Sequence, residues 1–433
     1  MAVSIMFLTT AVLIYTYLGY PALLWLLARL FPAANRFDDS FTPSVTLIIS
    51  AYNEETSIEA KIQNALQLDY PPEKLTIMVV SDCSTDRTDQ LVQGFKDQGV
   101  LLVRPETRRG KTAGLNLALA QVSSEIVLFS DANAMYDQQA VRYLVRHFSN
   151  PRTGYVVGHA RYQETTQTAA GVSEGGYWSM EVSLKAWEST FSSVVGGDGA
   201  LYAIRRELYE PLQETDINDF VNPLQIIAKG FRGIFEPAAW CTEKPAGQFS
   251  KEFSRKVRIA NRSLNGLLRV SETCNPLKFG RFAWQLISHK LLRWFSPYLL
   301  CIHFTAALAV GSDQPHAAVA SGFVALYGVV ALLSLIGWWL DKLGRSNPLF
   351  FVPHYVSLMH VASAIGVFLR LQGKVISTWE TVRTATAARD SKTALLPLLL
   401  LLIMAAALYK LLPAVSYPTD LFGGQQATRA VRL

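Results

Sequence analysis

Cysteine is scarce in this chain, with four in 433 residues: Cys83, Cys241, Cys274 and Cys301. No two form a CxxC pair or stand at metal-ligand spacing, so a reduced compartment and structural roles are expected. Charge is absent altogether from Met1 to Ala28. No Lys or Arg precedes that apolar run, and it is too long for a cleaved leader, so it is expected to cross a bilayer. The net charge is only +6, and no basic stripe of the kind that tracks a phosphate backbone is present. Nucleic acid is therefore excluded as a partner.

What is abundant is apolar sequence, half of all residues, and it is unevenly spread. Uncharged stretches recur at Trp294–Ser312, Ala317–Leu340, Ser346–Leu369 and Thr393–Tyr409, whereas the chain between Arg29 and Arg293 has the composition of a soluble domain. The expectation is a multi-pass protein of the cell (plasma) membrane, in contact with its lipids and carrying one large globular insertion. Basic residues mark the cytoplasmic side of short loops. Arg29 and Arg36 after the first span put the insertion in the cytoplasm, and the loop "GSDQPH" lacks Lys and Arg, as an outer loop should. If Ser346–Leu369 crossed outward, the five basic residues of "RLQGKVISTWETVRTATAARDSK" would lie outside. That stretch is therefore read as an interfacial or re-entrant helix. The aromatic and basic "FGRFAWQLISHKLLRWF" suits a helix in the headgroup region, with a capping helix of the domain as the alternative. The expected divisions are a first transmembrane helix (1–31), a globular domain (40–272), an interfacial helix (273–293) and two transmembrane helices (294–340). An interfacial or re-entrant segment (346–392), a last transmembrane helix (393–412) and a tail (413–433) follow.

Within the insertion, "SVTLIISA", "LTIMVVS", "VLLV" and "EIVLFS" have the length and β-branching of buried strands, and 54–68, 86–96 and 109–121 read as helices. Alternation of this kind implies an α/β fold with a largely parallel sheet covered on both faces, whose ligand lies beyond the carboxyl ends of the strands. Those ends run into Tyr52-Asn53-Glu54-Glu55, into Ser81-Asp82-Cys83-Ser84-Thr85-Asp86 and into Asp131-Ala132-Asn133. Asp86 reads as a helix cap. Three acidic clusters on one rim repel one another unless a cation or hydrogen-bond donors offset them. "TRRGKTAGLNLAL" sets Arg108, Arg109 and Lys111 around Gly110 at a helix start, which suits an anion, or else a solvated basic helix end.

In this order the motifs resemble the family-2 membrane glycosyltransferases: cellulose, chitin and hyaluronan synthases and the exopolysaccharide glycosyltransferases. The resemblance implies a GT-A domain (the Rossmann-like nucleotide-diphospho-sugar transferase fold) inserted between transmembrane helices, with interfacial helices. It implies that Tyr52, Asn53 and Glu54 lie against the nucleotide, that Asp82 holds base and ribose, and that Lys111 approaches the nucleotide. Asp131-Ala132-Asn133 matches the DXD metal motif, with Asn133 in place of the second acid, so Asp131 and Asn133 would hold Mg²⁺ or Mn²⁺ against the donor diphosphate. "SVVGGDGALYAIRREL" resembles the acceptor-side segment. There Gly196, Gly197 and Gly199 permit close approach, and Asp198 binds an acceptor hydroxyl or closes the turn. Asp219 in "TDINDF" matches the catalytic base; without the resemblance it reads as an ordinary acid of a first helical turn.

The QxxRW motif of processive members appears as "RKVRI". Arg255 replaces Gln, Ile259 replaces Trp, and Arg258 is kept, so Arg255 and Arg258 would face departing phosphates or a lipid-linked diphosphate. Arg293-Trp294 reads as a chance match to the same motif. "WETVR" resembles a gating segment, with Trp379 on the acceptor or serving as an interface anchor. The implied activity is inverting transfer of a sugar from a nucleotide sugar, a UDP-sugar above all, to a growing polysaccharide or a polyprenyl-diphosphate-linked glycan. The rival reading is a non-catalytic sensor or transporter component with a degenerate nucleotide-binding domain. Asn133 and Asn218 favour it, and the joint presence of Asp82, Asp131 and Asp219 opposes it.

Overall fold

The computed structural model describes residues 1–162, 169–243, 249–343, 345, 347–376 and 395–411. Trp379 and the tail 413–433 lie outside the described residues. Eight strands form one sheet: β1 Val45–Ala51, β2 Leu75–Ser81, β3 Leu101–Val103, β4 Ile126–Asp131, β5 Met135–Tyr136, β6 Thr153–Tyr162, β7 Tyr202–Arg205 and β8 Arg232–Glu243. Their order across the sheet is β3-β2-β1-β4-β7-β6-β8-β5. The first four strands are parallel, as their alternation with helices requires. Beyond β4 the sheet is mixed: β7 runs antiparallel to both β4 and β6, β8 runs parallel to β6, and β5 is antiparallel to β8.

The strand chemistry explains the layering. Every residue of β1 is buried, because helices cover both faces. Val45, Leu47 and Ile49 enter one core and Ile48 the other, together with Met78 and Val80 of β2. Burial of each such side chain contributes roughly 1.5–3 kcal/mol. The helices Ile58–Leu66, Thr88–Gln93 and Lys111–Leu119 fall where the pattern places them, with shorter ends. Register then aligns the functional rim: Ala51 pairs with Ser81 and Ser50 with Asp131, so three loops leave the sheet side by side.

Four described helices are long and apolar enough to cross a membrane: Ala2–Leu30, Pro276–Leu308, Ala317–Lys342 and Pro348–Leu371. A fifth apolar helix, Leu395–Leu411, lies within the stretch expected as the last span. The stretch expected as an interfacial helix followed by a span is instead one helix, Pro276–Leu308, kinked at Gly280 and with a π turn at Ile287–Leu291. Two of its polar side chains turn into the globular domain. His289 hydrogen-bonds Glu188 at 2.6 Å and Glu181 at 3.1 Å, and Arg293 is ion-paired with Glu181. Pro348–Leu371 is a single unbroken helix without the turn a re-entrant hairpin needs. Its C-terminal end is held on the domain: Asn261 donates to the carbonyls of Gly366 (3.1 Å) and Lys374 (2.9 Å), and Arg370 donates to Asn265 (2.9 Å).

Candidate active site

The loop after β1 is built by Asn53, which adopts φ +52°, a left-handed conformation that asparagine tolerates well. Its side-chain oxygen accepts from Thr85 N–H at 2.8 Å, and its own N–H donates to Ser84 Oγ at 3.1 Å. Glu54 N–H donates to Thr88 Oγ1 at 2.8 Å. These bonds clamp the loop after β1 to the loop after β2. Asp86, expected as a cap, stands one residue ahead of the N-cap position, which Arg87 holds, and accepts from the N–H of Thr88 at 3.0 Å and of Glu55 at 3.1 Å. On the rim itself the Arg108 guanidinium lies 3.8 Å from the centre of the Tyr52 ring, a stacked pair open to a planar ligand.

Asp82 is buried at the end of β2. Its carboxylate accepts from the backbone N–H groups of Arg109 (3.1 Å) and Gly110 (3.0 Å). Gly110 has φ +90°, a conformation only glycine adopts at little cost, and it opens the helix that carries Lys111. The second acidic loop therefore fixes the basic one, and Lys111 is aimed across the rim. There its ammonium forms an ion pair with Asp131, the half-exposed last residue of β4.

Gly199 sits where the remaining groups meet. A Cβ placed there would lie 3.3 Å from Asp219 Oδ2, 3.6 Å from Lys111 Nζ and 3.8 Å from Asp131 Oδ2. Next to it, the Gly197 N–H donates to the Asp219 carbonyl, and a Cβ at Gly197 would stand 2.8 Å from that oxygen. The Gly-rich segment is thus the surface against which Asp219 rests. Asp198 pairs with Lys185 at 3.1 Å and its own carbonyl takes the N–H of Leu201, so it closes the turn and carries a counter-ion.

Asp219 lies in the first turn of the helix Asn218–Ala228. Burial pushes its carboxyl above the usual carboxylate range. Lys111 and a Gly199 N–H pull it down, while Asp198 and Asp131 push it further up. Its Oδ1 is buried, with no hydrogen-bond donor among the described residues. Asn218, beside it, points away into the core and donates to Tyr202 Oη at 2.8 Å. Asn222 donates to the same oxygen at 3.0 Å.

Two site residues were missed in the sequence. Lys61 is fully buried beneath the Asp131–Ala134 turn, donating to the Ala134 carbonyl at 2.5 Å with its ammonium 3.7 Å from the centre of the Tyr136 ring. Burial lowers it to about 7. Its signal was a lysine on the apolar stripe of a helix whose buried positions are 58, 61, 62 and 65. Glu243 ends β8. Burial first, then the charges of Asp131 and Asp198, raise it to about 8. Like Asp131, it is a carboxylate at the tip of a strand.

Arg255 and Arg258 both lie on the amphipathic helix Phe249–Arg269. Arg255 forks onto Glu252 through bonds of 2.7 and 2.8 Å, and its charge also acts on Glu243. The same helix braces the approach to Asp219, because Arg262 donates to the carbonyls of Thr215 (2.8 Å), Glu214 (2.6 Å) and Asp216 (2.6 Å). For a cation the rim offers oxygen donors only. Among the described residues no group of three His, Cys, Asp or Glu side chains is arranged to hold one. One carboxylate and one amide suit Mg²⁺ or Mn²⁺, which commonly take the rest of their shell from substrate phosphates and water.

Residues 46–212 match the family model for glycosyl transferase family 2. The chain carries a family-2 glycosyltransferase domain. The domain is 26% identical over 231 residues to the poly-beta-1,6-N-acetyl-D-glucosamine synthase of Staphylococcus aureus (strain COL), covering 52% of this chain and 56% of that protein. It is likewise 26% identical over 266 residues to the probable glycosyltransferase YdaM of Bacillus subtilis (strain 168), covering 56% and 61%. The chain thus spans little more than half the length of these relatives. Among solved structures, a mannosyltransferase from Pyrobaculum calidifontis in complex with GDP-Man and Mn²⁺ shares the fold at a TM-score of 0.64 and 23% identity. That likeness covers 86% of this chain and 99% of that one. The family-2 domain therefore has the GT-A fold, as the family resemblance implied.

Proposed function

We propose that the protein is an inverting membrane glycosyltransferase that moves a sugar from a nucleotide diphosphate sugar, a UDP-sugar above all, onto a glycan acceptor. The observation that carries this reading is the meeting of Asp219, Lys111 and Asp131 around Gly199, within 3.3–3.8 Å of one point. Asp82 and the Tyr52–Arg108 stack stand beside them at the nucleotide end of the rim. In this reading the acceptor hydroxyl enters over Gly197 and Gly199 and hydrogen-bonds Asp219 Oδ1, the buried acceptor atom without a donor. Asp219 takes the proton as the hydroxyl oxygen attacks the anomeric carbon from the face opposite the leaving diphosphate. An α-linked donor thus gives a β-linked product. Lys111 leaves Asp131 for the diphosphate and offsets the charge that grows there. Asp131 and Asn133 would hold Mg²⁺ or Mn²⁺, which supplies Lewis-acid stabilisation of the leaving group.

The acceptor is a growing polysaccharide or a lipid-linked glycan. The similarity to a named poly-beta-1,6-N-acetyl-D-glucosamine synthase supports the polysaccharide. The Ile259 at the place of the motif tryptophan supports the shorter, lipid-linked product. The helix Pro348–Leu371, tethered to the domain through Asn261 and Asn265, supports an active site held at the cytoplasmic membrane face. Charged side chains converging on a substrate-sized rim argue against the sensor or transporter reading. The test is release of free nucleoside diphosphate by the purified full-length protein, assayed over a panel of nucleotide sugars with Mg²⁺, Mn²⁺ or chelator. A base contributes about 10²–10⁴-fold, so Asp219→Asn should lose that much turnover and keep donor affinity. An Asp219→Asn enzyme with unchanged turnover would reject the assignment.

A further inference from the structure

A cavity of about 770 Å³ opens where the chain leaves the first membrane-length helix. Its walls hold four arginines, Arg36, Arg152, Arg232 and Arg281, with the rings of Phe37 and Phe191 between them and no Asp or Glu. Among the described residues none of the four is ion-paired. Arg232 forms the floor, with each of its three guanidinium nitrogens donating to a backbone carbonyl, of Ser192 (2.6 Å), Ala34 (2.6 Å) and Ser189 (2.7 Å). That fork fixes its charge in place without neutralising it. Arg281, on the helix Pro276–Leu308, stacks 4.7 Å from the centre of Phe191, while Arg36 and Arg152 are exposed at the mouth.

This cavity is not part of the active site. Residues 149–152 precede β6 and Arg232 begins β8, and both strands run in the direction of β4. The cavity therefore lies at the rim opposite Asp131. Four like charges gathered without a counter-ion are unfavourable unless an anion joins them. Guanidinium groups bind phosphate through paired hydrogen bonds. The position fits as well. Ala33 and Ala34 follow a helix that ends at Leu30, and Arg281 stands near the start of the next membrane-length helix, so with both helices in a bilayer the mouth would lie at the headgroup layer.

We propose that this arginine cavity is a binding site for a phosphate-bearing anion, with the headgroup of an anionic lipid as the expected source. The aromatic rings would lie against the glycerol and upper acyl carbons, and the exposed arginines would grip the phosphate. The site would seat the domain on the membrane independently of donor chemistry.

The test titrates detergent-solubilised full-length protein with short-chain phosphatidylglycerol, short-chain phosphatidylcholine and inorganic phosphate, read by tryptophan fluorescence and native mass spectrometry. Phosphatidylglycerol should bind at least about tenfold more tightly than phosphatidylcholine, whose choline would be set against the guanidiniums. Each arginine facing an anionic headgroup is worth about fivefold, so Arg152→Gln with Arg281→Gln should weaken phosphatidylglycerol by about 25-fold. Lys96→Gln, which removes a charge far from the cavity, should change it less than twofold. Millimolar inorganic phosphate that displaces phosphatidylglycerol from the wild type, and binds the double variant more weakly, would keep the site and identify the source as soluble phosphate. Equal affinity of wild type and double variant for every probe, with both folded by circular dichroism, would overturn the proposal. So would an equal loss in Lys96→Gln.

Discussion

Lys111 is ion-paired with Asp131 beside Gly199, so the one carboxylate of the Asp-Ala-Asn turn is occupied by an internal cation. In the proposed function a divalent ion held by Asp131 would compete with that ammonium, which would then be released towards phosphate. Lys111→Gln should therefore tighten binding of Mn²⁺ alone while weakening the nucleotide sugar. A partly exposed pair of this kind is worth up to about 1 kcal/mol, so the gain in Mn²⁺ affinity should be about two- to fivefold. Titration of Mn²⁺ by electron paramagnetic resonance without donor checks this. A weaker Mn²⁺ affinity in Lys111→Gln would mean that the pair does not compete with the metal.

The Gly197 N–H donates to the Asp219 carbonyl, and a methyl group at Gly197 would stand 2.8 Å from that oxygen. The contact is with backbone, which yields only if the first turn of the Asp219 helix shifts. A displacement of about 1 Å at a reacting group costs about 100-fold in rate. Gly197→Ala should thus lose turnover by that order with the KM for donor little changed, because the nucleotide end of the rim is untouched. Steady-state kinetics over donor concentration separate the two constants.

Glu243 gives a prediction in pH. Its carboxyl is raised to about 8 in the folded protein by burial and by Asp131 and Asp198, against an ordinary value near 4.5. The folded state therefore holds a proton that the unfolded state has released. The associated stability is complete below about pH 4.5 and is lost as pH rises through about 8. In metal-free protein the melting temperature should fall across that window. Glu243→Gln, which cannot ionise, should melt higher than wild type at pH 8 and about equally at pH 5. Thermal scans in matched buffers decide it, and parallel pH profiles for the two proteins would remove Glu243 as the cause.

What the sequence revealed follows from what each signal depends on. The strand ends at Asp82 and Asp131 were legible because a carboxylate after an apolar run stands out, and the parallel pairing of β1, β2 and β4 brings such ends together. The mixed half of the sheet was not legible. The pairing of β6, β7 and β8 rests on contacts between residues 153–162, 202–205 and 232–243, and no local pattern encodes them. Lys61 was hidden for a different reason: its surroundings are complete only when the Ala134 carbonyl and the Tyr136 ring arrive from another part of the chain. The helix at 276–308 was read as interfacial because its cations suggested headgroups. For His289 and Arg293 the partners are Glu181 and Glu188, about a hundred residues away, and the tertiary fold turns those two side chains into the domain.

Tyr202 links the core to the helix that carries Asp219. Its ring stacks on Phe129 of β4, with centroids 4.6 Å apart and planes at 16°, and its hydroxyl oxygen accepts from Asn218 and Asn222. Both amides are buried, so Tyr202→Phe keeps the stack and leaves two donors unpaired. A buried donor stripped of its partner costs about 1–3 kcal/mol, and the variant should lose about 2–5 kcal/mol as the amides partly rearrange. Asn218 adjoins Asp219, so the loosened first turn should also lower turnover while donor affinity holds. Denaturant unfolding and donor titration measure the two effects separately. A Tyr202→Phe protein as stable as wild type would show that the amides find other partners, and that the hydroxyl is not what holds Asp219 against Gly199.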